Sequence, residues 1–523
     1  MDSRHAALLV AFRGLDARQR RLLDLAAHAR GTVYEDKGMK PWWPGLQRDP
    51  YGRIVPIPCH EREPGVQSGV LGEKTAKLIE KLCGVGRLPS IRGVPARLLS
   101  ALLDDLDLVT EIEAQAFDLV VKGACCGGAA LVAAGGRRRL DPVYVDPVFA
   151  QPFWPSNAGS PAARRFAESL EEAGLGDLLG EPLDGEYLEV PEDAGRRDLV
   201  ALRYEPMWLD EDRNEVWRTR TDYLPNAVVK WRPMRVLEGT VYAPSWEVSA
   251  VEEHGWGFVP LSWVKAPGGH ADDTEGPSFL TPEMQRLAYA VDLALSMRHD
   301  SVRNICLPQL TLIDVVDKVR HDDTFAGLPI PQQEAGSGTV MEFESSGDHP
   351  SVSVTEPTGA GLGTVKDFVA DLLERVGQLA GLAEYDQAKA AGALSGVALE
   401  RLMEPTVARV KRYQRPLGRY ISELAVIAGR IIDEPVGLAD VQLNWPRVIS
   451  PSPEDVAKTI AAVQAGCGGS PVISHETAVH VVANILELPD PEAEWERVQE
   501  AMQEARDQLF PPSAPPAAAS QGE

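Results

Sequence analysis

TPEMQRLAYAVDLALSMRHDSVRNIC (281–306), GTVKDFVADLLERVGQLAGL (363–382) and SGVALERLMEPTVARVKRYQRPLGRYISELAVIAGRIID (395–433) decide the architecture. In the first, Thr281 is an N-cap and Pro282 takes the first helical position, so a helix is predicted over 282–303. Leu287, Val291 and Leu295 line one stripe of it, with Ala288 and Ala290 nearby. In the second, Phe368, Leu372, Val376 and Leu379 recur at steps of four, four and three, an amphipathic stripe. Between them, 305–355 holds LTLIDVV, GTVMEF and SVSVTE, separated by the turn sequences GLPIP, GSG and SGDHP. This is room for a small strand-rich insert. The run Ala391-Gly392-Ala393-Leu394-Ser395-Gly396 then breaks the chain before a long helix predicted over 397–431. Two helices bracketing a small insert, followed by a small-residue hinge, make a poor catalytic pocket. They suit a part that projects from a body and repeats around a ring.

Charge divides the C-terminal third. From 401 to 430 there are seven Arg or Lys against Glu404 and Glu423. From 454 to 507 there are 11 acidic residues against Lys458, Arg497 and Arg506, over helices expected at 452–465, 474–485 and 490–508. The simplest account of the basic helix is pairing with an acidic neighbour, which in a cyclic oligomer is another copy of the chain. A solvated face and direct nucleic-acid contact are the other two readings. Pro405 and Pro416 lie inside this helix and must kink it or force local repair of its hydrogen bonds. The tail PPSAPPAAASQGE is low in complexity.

The N-terminal half reads differently. Helices are expected within 2–31, at 72–83 and over 95–120, with irregular chain at 34–70. Gly123 to Gly128 reads as a small-residue break. From 130 to 265 the period shortens: ALVAAG, DPVYVDPV, GEYLEVPE, LVALRYEPMWL, EVWRTRTDYL, AVVKWRPMRV and WEVSAVEEH point to mainly antiparallel sheet, interrupted by a helix at 160–174. Six of the 11 tryptophans fall between 208 and 263, which fits sheet core and strand flanks. Base stacking is disfavoured there, because the neighbouring charges are acidic or balanced.

The chain has 523 residues, 44% apolar and 25% charged, a folded composition with room for several domains. Its net charge of −25 argues against a nucleic-acid coat protein. It is compatible with DNA passing an acidic wall that repels phosphate. MDSRHAALLVAFRGLDARQRR does not read as a signal peptide, and no run of 18 apolar residues suggests a membrane span. Six scattered cysteines without a CxxC pair fit free thiols in a reducing compartment.

The motifs that carry known chemistries are weak here. Gly359-Ala-Gly361-Leu-Gly363 has GxGxG spacing, not GxGxxG, and no βαβ repeat follows. No GKS or GKT is present for a phosphate-binding loop. His475 and His480 are five apart, so their imidazoles diverge on a helix. Cys125-Cys126 in GACCGG reads as a buried small-residue turn and not as a reactive pair. No residue stands out as catalytic, cofactor-binding or metal-ligating.

Taken in order, HGWGFVPLSWVK (254–265), the two helices, AEYDQAKAAGALSGVALERLMEPTVARVKRY (383–413) and VQLNWPRVISPSPEDVAKTIAAVQAG (441–466) resemble the portal proteins of tailed bacteriophages, over about 250–510. The resemblance implies an α+β subunit with an α/β wing at 1–280, a stem helix at 281–303, a clip at 304–358 and a second stem helix at 359–383. It further implies a tunnel loop at 384–396, a long kinked wing helix at 397–436, wing or crown helices at 437–510, and a flexible tail at 511–523. Twelve copies would ring a single capsid vertex, assembled in the host cytoplasm and retained in the virion. Double-stranded DNA would pass through the channel, pumped by a separate terminase and later released to the tail. Partners would include major capsid or scaffolding protein and a head–tail adaptor, with no membrane, no cofactor and no catalytic site. Lys366, Arg375, Lys389 and Ala393 are then candidates to face the DNA, Gly392, Ser395 and Gly396 to form the loop hinge, and Arg409, Lys411, Arg412, Arg415 and Arg419 to reach a neighbouring copy. Two alternatives stay open: a non-viral ring-forming scaffold, and a metal-dependent hydrolase with a composite site.

Overall fold

The computed structural model describes residues 15–34, 42, 46–48, 54–56, 62–84, 89–134, 137–154, 160–179, 199–210, 215–236, 246–270, 273–306, 309–313, 315–317, 343–345, 351–355, 361–382, 396–446, 448, 453–467, 474–485 and 491–509. The fold is mixed α+β, and every described strand pairing is antiparallel. The chain divides into two compact units, each built from separate stretches. The first takes Met1–Ala29, Gly72–Leu280 and Ala380–Glu523, and the second Arg30–Leu71 and Thr281–Leu379.

In the first unit, α1 (Ala17–Arg30) and α2 (Val70–Cys83) precede the short strand β3 (Ser90–Arg92), while the paired strands β1 (Leu46–Arg48) and β2 (Ile54–Pro56) belong to the second unit. The expected helix over 95–120 is two helices, α3 (Ala96–Ser100) and α4 (Leu108–Phe117), each running on into a π turn at Ala101–Asp105 and Asp118–Lys122. Gly123, at φ 79°, ends the second π turn, a left-handed position that suits glycine. Its carbonyl accepts from the amides of Ala266 and Gly276, both at 2.8 Å.

The expected break at Gly123–Gly128 is a strand from its second residue onward. β4 (Ala124–Ala134) pairs with β5 (Arg137–Tyr144) on one side and β14 (Leu261–Lys265) on the other. Its small residues are there because helix α8 (Gly396–Ile431) crosses this sheet. A Cβ on Gly127 would lie 2.4 Å from the Tyr420 hydroxyl, and one on Gly128 would lie 1.9 Å from the Pro260 carbonyl oxygen. Tyr420 is fully buried and donates to Glu111 Oε1 at 3.2 Å. Helix α8 runs through Pro405 and Pro416 without interruption over 36 residues. Each proline lacks an N–H, so the carbonyls of Arg401 and Arg412 lose their helical donors.

The other large sheet has the order β13-β11-β10-β7-β6, from Val248–Glu253, Ala227–Trp231, Thr221–Tyr223, Ala201–Tyr204 and Ala150–Phe153. Helix α5 (Pro161–Glu172) covers it, capped by the Ser160 hydroxyl, which accepts from the Ala163 amide. Phe153, Phe166, Leu170, Val229 and Trp231 form the core between them. A polar knot crosses this core. Arg203 forks onto Asp222 at 2.8 and 2.9 Å, and the Trp231 indole donates to the same carboxylate at 2.9 Å. Strands β8 (Met207–Asp210), β9 (Glu215–Arg218) and β12 (Met234–Arg235) form a smaller sheet, and β19 (Gln442–Asn444) pairs with β3. Helices α9 (Pro453–Cys467), α10 (His475–Ile485) and α11 (Pro491–Leu509) pack in sequence, matching the three expected C-terminal helices.

The second unit is built on α6 (Pro282–Cys306) and α7 (Gly361–Ala380). Between them, β15 (Gln309–Ile313) pairs with β18 (Ser351–Thr355), and β16 (Val315–Asp317) with β17 (Phe343–Ser345). The pairs are nested, so the chain runs out and returns beside itself. Val291, Ala294 and Val369 form the buried seam of the helices, with Val365, Leu372 and Leu295 against it. Glu283 at the start of α6 meets Arg375 in the second half of α7, 3.7 Å apart, so the helices are antiparallel. Of the expected stripe of α7, Leu372, Val376 and Leu379 are half-buried or buried, and Phe368 is the exception. Phe368 is 52% exposed, and Val365, Val369, Leu372 and Val376 face inward. Spacing allowed either Phe368 or Val365 and Val369 to complete the stripe, and contact with α6 selects the valines.

Candidate channel segment and assembly surface

Polar side chains on α6 bind Tyr34, Trp42, Val66 and Ser68. Asp292, Ser296 and Asp300 stand four residues apart and therefore share a helix face. Asp292 accepts from the Tyr34 hydroxyl at 2.8 Å and the Ser68 amide at 2.6 Å. Ser296 Oγ accepts from the Val66 amide at 3.0 Å, and Asp300 from the Trp42 indole at 2.9 Å. Asp292 and Ser296 are buried, and burial together with the neighbouring carboxylate raises the Tyr34 hydroxyl well above the ordinary phenol range. The reading of 34–70 as irregular chain did not foresee these four contacts. The visible signal was Asp-x₃-Ser-x₃-Asp along one face of the helix.

Of the residues expected to face DNA, Lys366 and Arg375 are exposed on α7. Lys366 has no ion pair among the described residues, while Arg375 leans on Glu283 and Gln378. Asp367, Asp371 and Glu374 are exposed on the same helix, so it presents acidic surface broken by two cations. Lys389, Ala393, Gly392 and Ser395 lie outside the described residues. Gly396 is the first residue of α8. Met297 and Val302 on α6, and Phe368 and Leu373 on α7, are exposed apolar side chains.

The basic residues of α8 divide into two groups. Arg409 lies over the Phe279 ring at 5.6 Å, Arg412 donates to the Pro267 carbonyl at 2.8 Å, and Arg419 pairs with Glu423 at 2.7 Å. Lys411 and Arg415 are exposed and carry no ion pair among the described residues. Of the five residues expected to reach a neighbour, Lys411 and Arg415 are thus the ones without such a partner, and Arg401 and Arg430 are further exposed cations of the helix.

Arg430 belongs to a row of rings that composition did not flag. In His254-Gly-Trp256-Gly-Phe258, the glycines take φ 64° and 73°, a conformation that side chains disfavour. That backbone stacks His254 on Trp256 at 4.2 Å and Trp256 on Phe258 at 6.0 Å, and the Arg430 guanidinium covers Phe258 at 5.2 Å. Burial pushes the His254 imidazole below its usual pKa, so it stays neutral at pH 7. Beside this row a cavity of about 370 Å3 is walled by Trp154, Phe258 and Trp263, with Arg419, Glu423 and Arg430 as its charged groups. A second cavity, about 720 Å3, is lined by Arg18, Arg21, His270 and Glu275, and both arginines are committed to Glu275. The signal for the first cavity was an aromatic at every second position with glycine between, a pattern too short for a periodicity argument.

Cys125 and Cys126 are fully buried in β4, and burial raises both thiols well above the ordinary value. Among the described residues, no group of three or more His, Cys, Asp or Glu is placed to hold a metal ion. No described helix is long and apolar enough to cross a membrane. No protein-family model matches the chain, and no curated protein matches it.

Proposed function

We propose that the chain is a portal subunit, a structural protein that assembles into a ring and passes double-stranded DNA through its bore. The observation that carries this reading is the order of elements from 281 onward. Antiparallel helices of 25 and 20 residues bracket a nested strand insert, and a 36-residue helix follows. In this reading α6 and α7 are the stem, 304–358 is the clip that docks terminase and then a head–tail adaptor, and 384–396 narrows the bore.

Charge fits the task. A channel that moves DNA must not hold it, because each neutralised phosphate adds counterion-release affinity. Asp367, Asp371 and Glu374 repel phosphate, and Lys366 gives a brief contact. Arg375, paired with Glu283, contributes less. Exposed Phe368, Leu373, Met297 and Val302 are then surfaces for adjacent stems, and Lys411 and Arg415 reach the neighbour's acidic face. A scaffold ring without DNA shares the geometry and differs in cargo. The test is mass measurement of the purified chain in solution with imaging of the particles. A homogeneous ring of about twelve copies with an axial hole is expected. A stable monomer or dimer would refute the reading.

A further inference from the structure

The 370 Å3 cavity has a counterpart elsewhere in the same sequence. Helix α11 is acidic, with Glu492, Glu494, Glu496, Glu500, Glu504 and Asp507 against Arg497 and Arg506. Trp495, Val498 and Met502 recur at steps of three and four, so they form one stripe. Trp495 and Val498 are half-buried, and Met502 is 40% exposed. Glu496 and Glu500 flank that stripe and are exposed. An acidic helix with a half-exposed aromatic is complementary to an aromatic cavity rimmed by arginine.

Among the described residues, no side chain of α9, α10 or α11 lines the cavity. We infer that the cavity receives Trp495 of a second copy, with that copy's Glu496 set against Arg430. The side chain suits the site in three ways. Trp154, Phe258 and Trp263 offer rings for offset or edge contact with an indole. The Glu423 carboxylate, which accepts from Ser262 at 2.6 Å and from Arg419, keeps lone pairs free for the indole N–H. Arg430 is exposed and held over Phe258, and so is already oriented at the rim. A neighbour's α11 in one copy's cavity is a head-to-tail contact, the kind that builds a ring when the rotation between copies closes. The inference adds to the ring reading a named anchor and the cavity that holds it.

The test uses the full-length chain with a photoreactive phenylalanine at position 495. Copies labelled with heavy isotopes are mixed with unlabelled copies and irradiated. Crosslinks that join heavy to light copies through peptides of 254–263 or 419–430 are expected. Crosslinks to other surfaces, or only within one copy, would overturn the docking. In parallel, W495A is expected to weaken association by roughly 30-fold, as for a buried aromatic anchor. R430E and E496R are each expected to weaken it, and the double variant R430E/E496R to regain part of the loss. If the wild type forms rings and W495A forms them equally well, the docking is wrong and the ring reading stands. If the wild type forms only a dimer that W495A dissociates, the docking stands and the ring reading falls. If the wild type stays monomeric and gives no intercopy crosslink, both fall.

Discussion

Replacing Lys122 with Met removes one charge from the interior and keeps most of the side-chain volume. Lys122 is 2% exposed and donates to Asp118 at 2.7 Å and Asp146 at 2.8 Å. Asp118 is 1% exposed and also accepts from the Tyr144 hydroxyl at 2.5 Å. The π turn at Asp118–Lys122 brings the lysine and carboxylate together. Stranding one partner of a buried pair costs about 3–5 kcal/mol. The cost depends on pH, and its sign follows from Asp118. Burial raises this carboxyl from 3.8 to about 6, against the opposing pull of Lys122. The folded state therefore binds the proton more tightly than the unfolded chain. That contribution, roughly 3 kcal/mol from the displaced pKa, is complete below the unfolded value and is lost as pH rises through about 6. Without Lys122 the carboxyl rises further, and the loss extends towards neutral pH. The K122M variant should lose about 3–5 kcal/mol at pH 8 and no more than about 2 kcal/mol at pH 5. Urea midpoints followed by tryptophan fluorescence at the two pH values measure the difference. Adding Asp118→Asn should recover much of the loss at pH 8. Equal losses at both pH values, or no recovery in the double variant, would refute charge compensation and leave lost packing as the cause.

Asp292→Ala removes a charged acceptor from Tyr34 and from the Ser68 amide. A loss of roughly 3 kcal/mol is expected, read as faster hydrogen exchange at Ser68 and earlier proteolysis within 34–71. Gly128→Ala sets a methyl against the Pro260 carbonyl, which is backbone and cannot swing away. It should cost more than about 3 kcal/mol, seen as a lowered Tm. Cys83, Cys125 and Cys126 are buried, and burial pushes the Cys83 thiol up to about 12. A thiol reagent at pH 8 should label none of the three until guanidinium is added, and labelling of the native chain would contradict their placement.

The helices were largely legible because their signals are local. Thr281-Pro282 started α6, the hydrophobic period marked α7, and α8 was bounded to within a residue despite two prolines. The C-terminal helices fell within two residues of expectation. The misreadings came where a distant partner decides. Gly-Gly in β4 looks like a turn until Tyr420 and Pro260 are seen to occupy the space a side chain would need. Phe368 fits a helical stripe by spacing, but Val365 and Val369 take its place against α6, while Leu372, Val376 and Leu379 face inward as expected. The aromatic row at 254–258 depends on two left-handed glycines, and glycine in sequence does not announce which hand it takes. Of the candidate site, the charges were legible and their partners were not. Arg412 and Arg419 look alike on a helical wheel, yet one is spent on a carbonyl and the other on a carboxylate of its own helix.

The chain order of the two units sets a timetable for synthesis. The second unit closes at Leu379, whereas the first still lacks α8, which covers β4 and β14, and β19, which pairs with β3. A ribosome therefore releases every part of the two-helix unit while the body's sheet is still uncovered. Until residues 396–444 emerge, Cys125, Cys126 and the rest of β4 await the helix that buries them. Nascent chains in that interval expose apolar strand surface, the state in which chains aggregate or recruit chaperones. Truncations that stop between 380 and 396 should be insoluble for this reason, even though they contain the whole of the second unit.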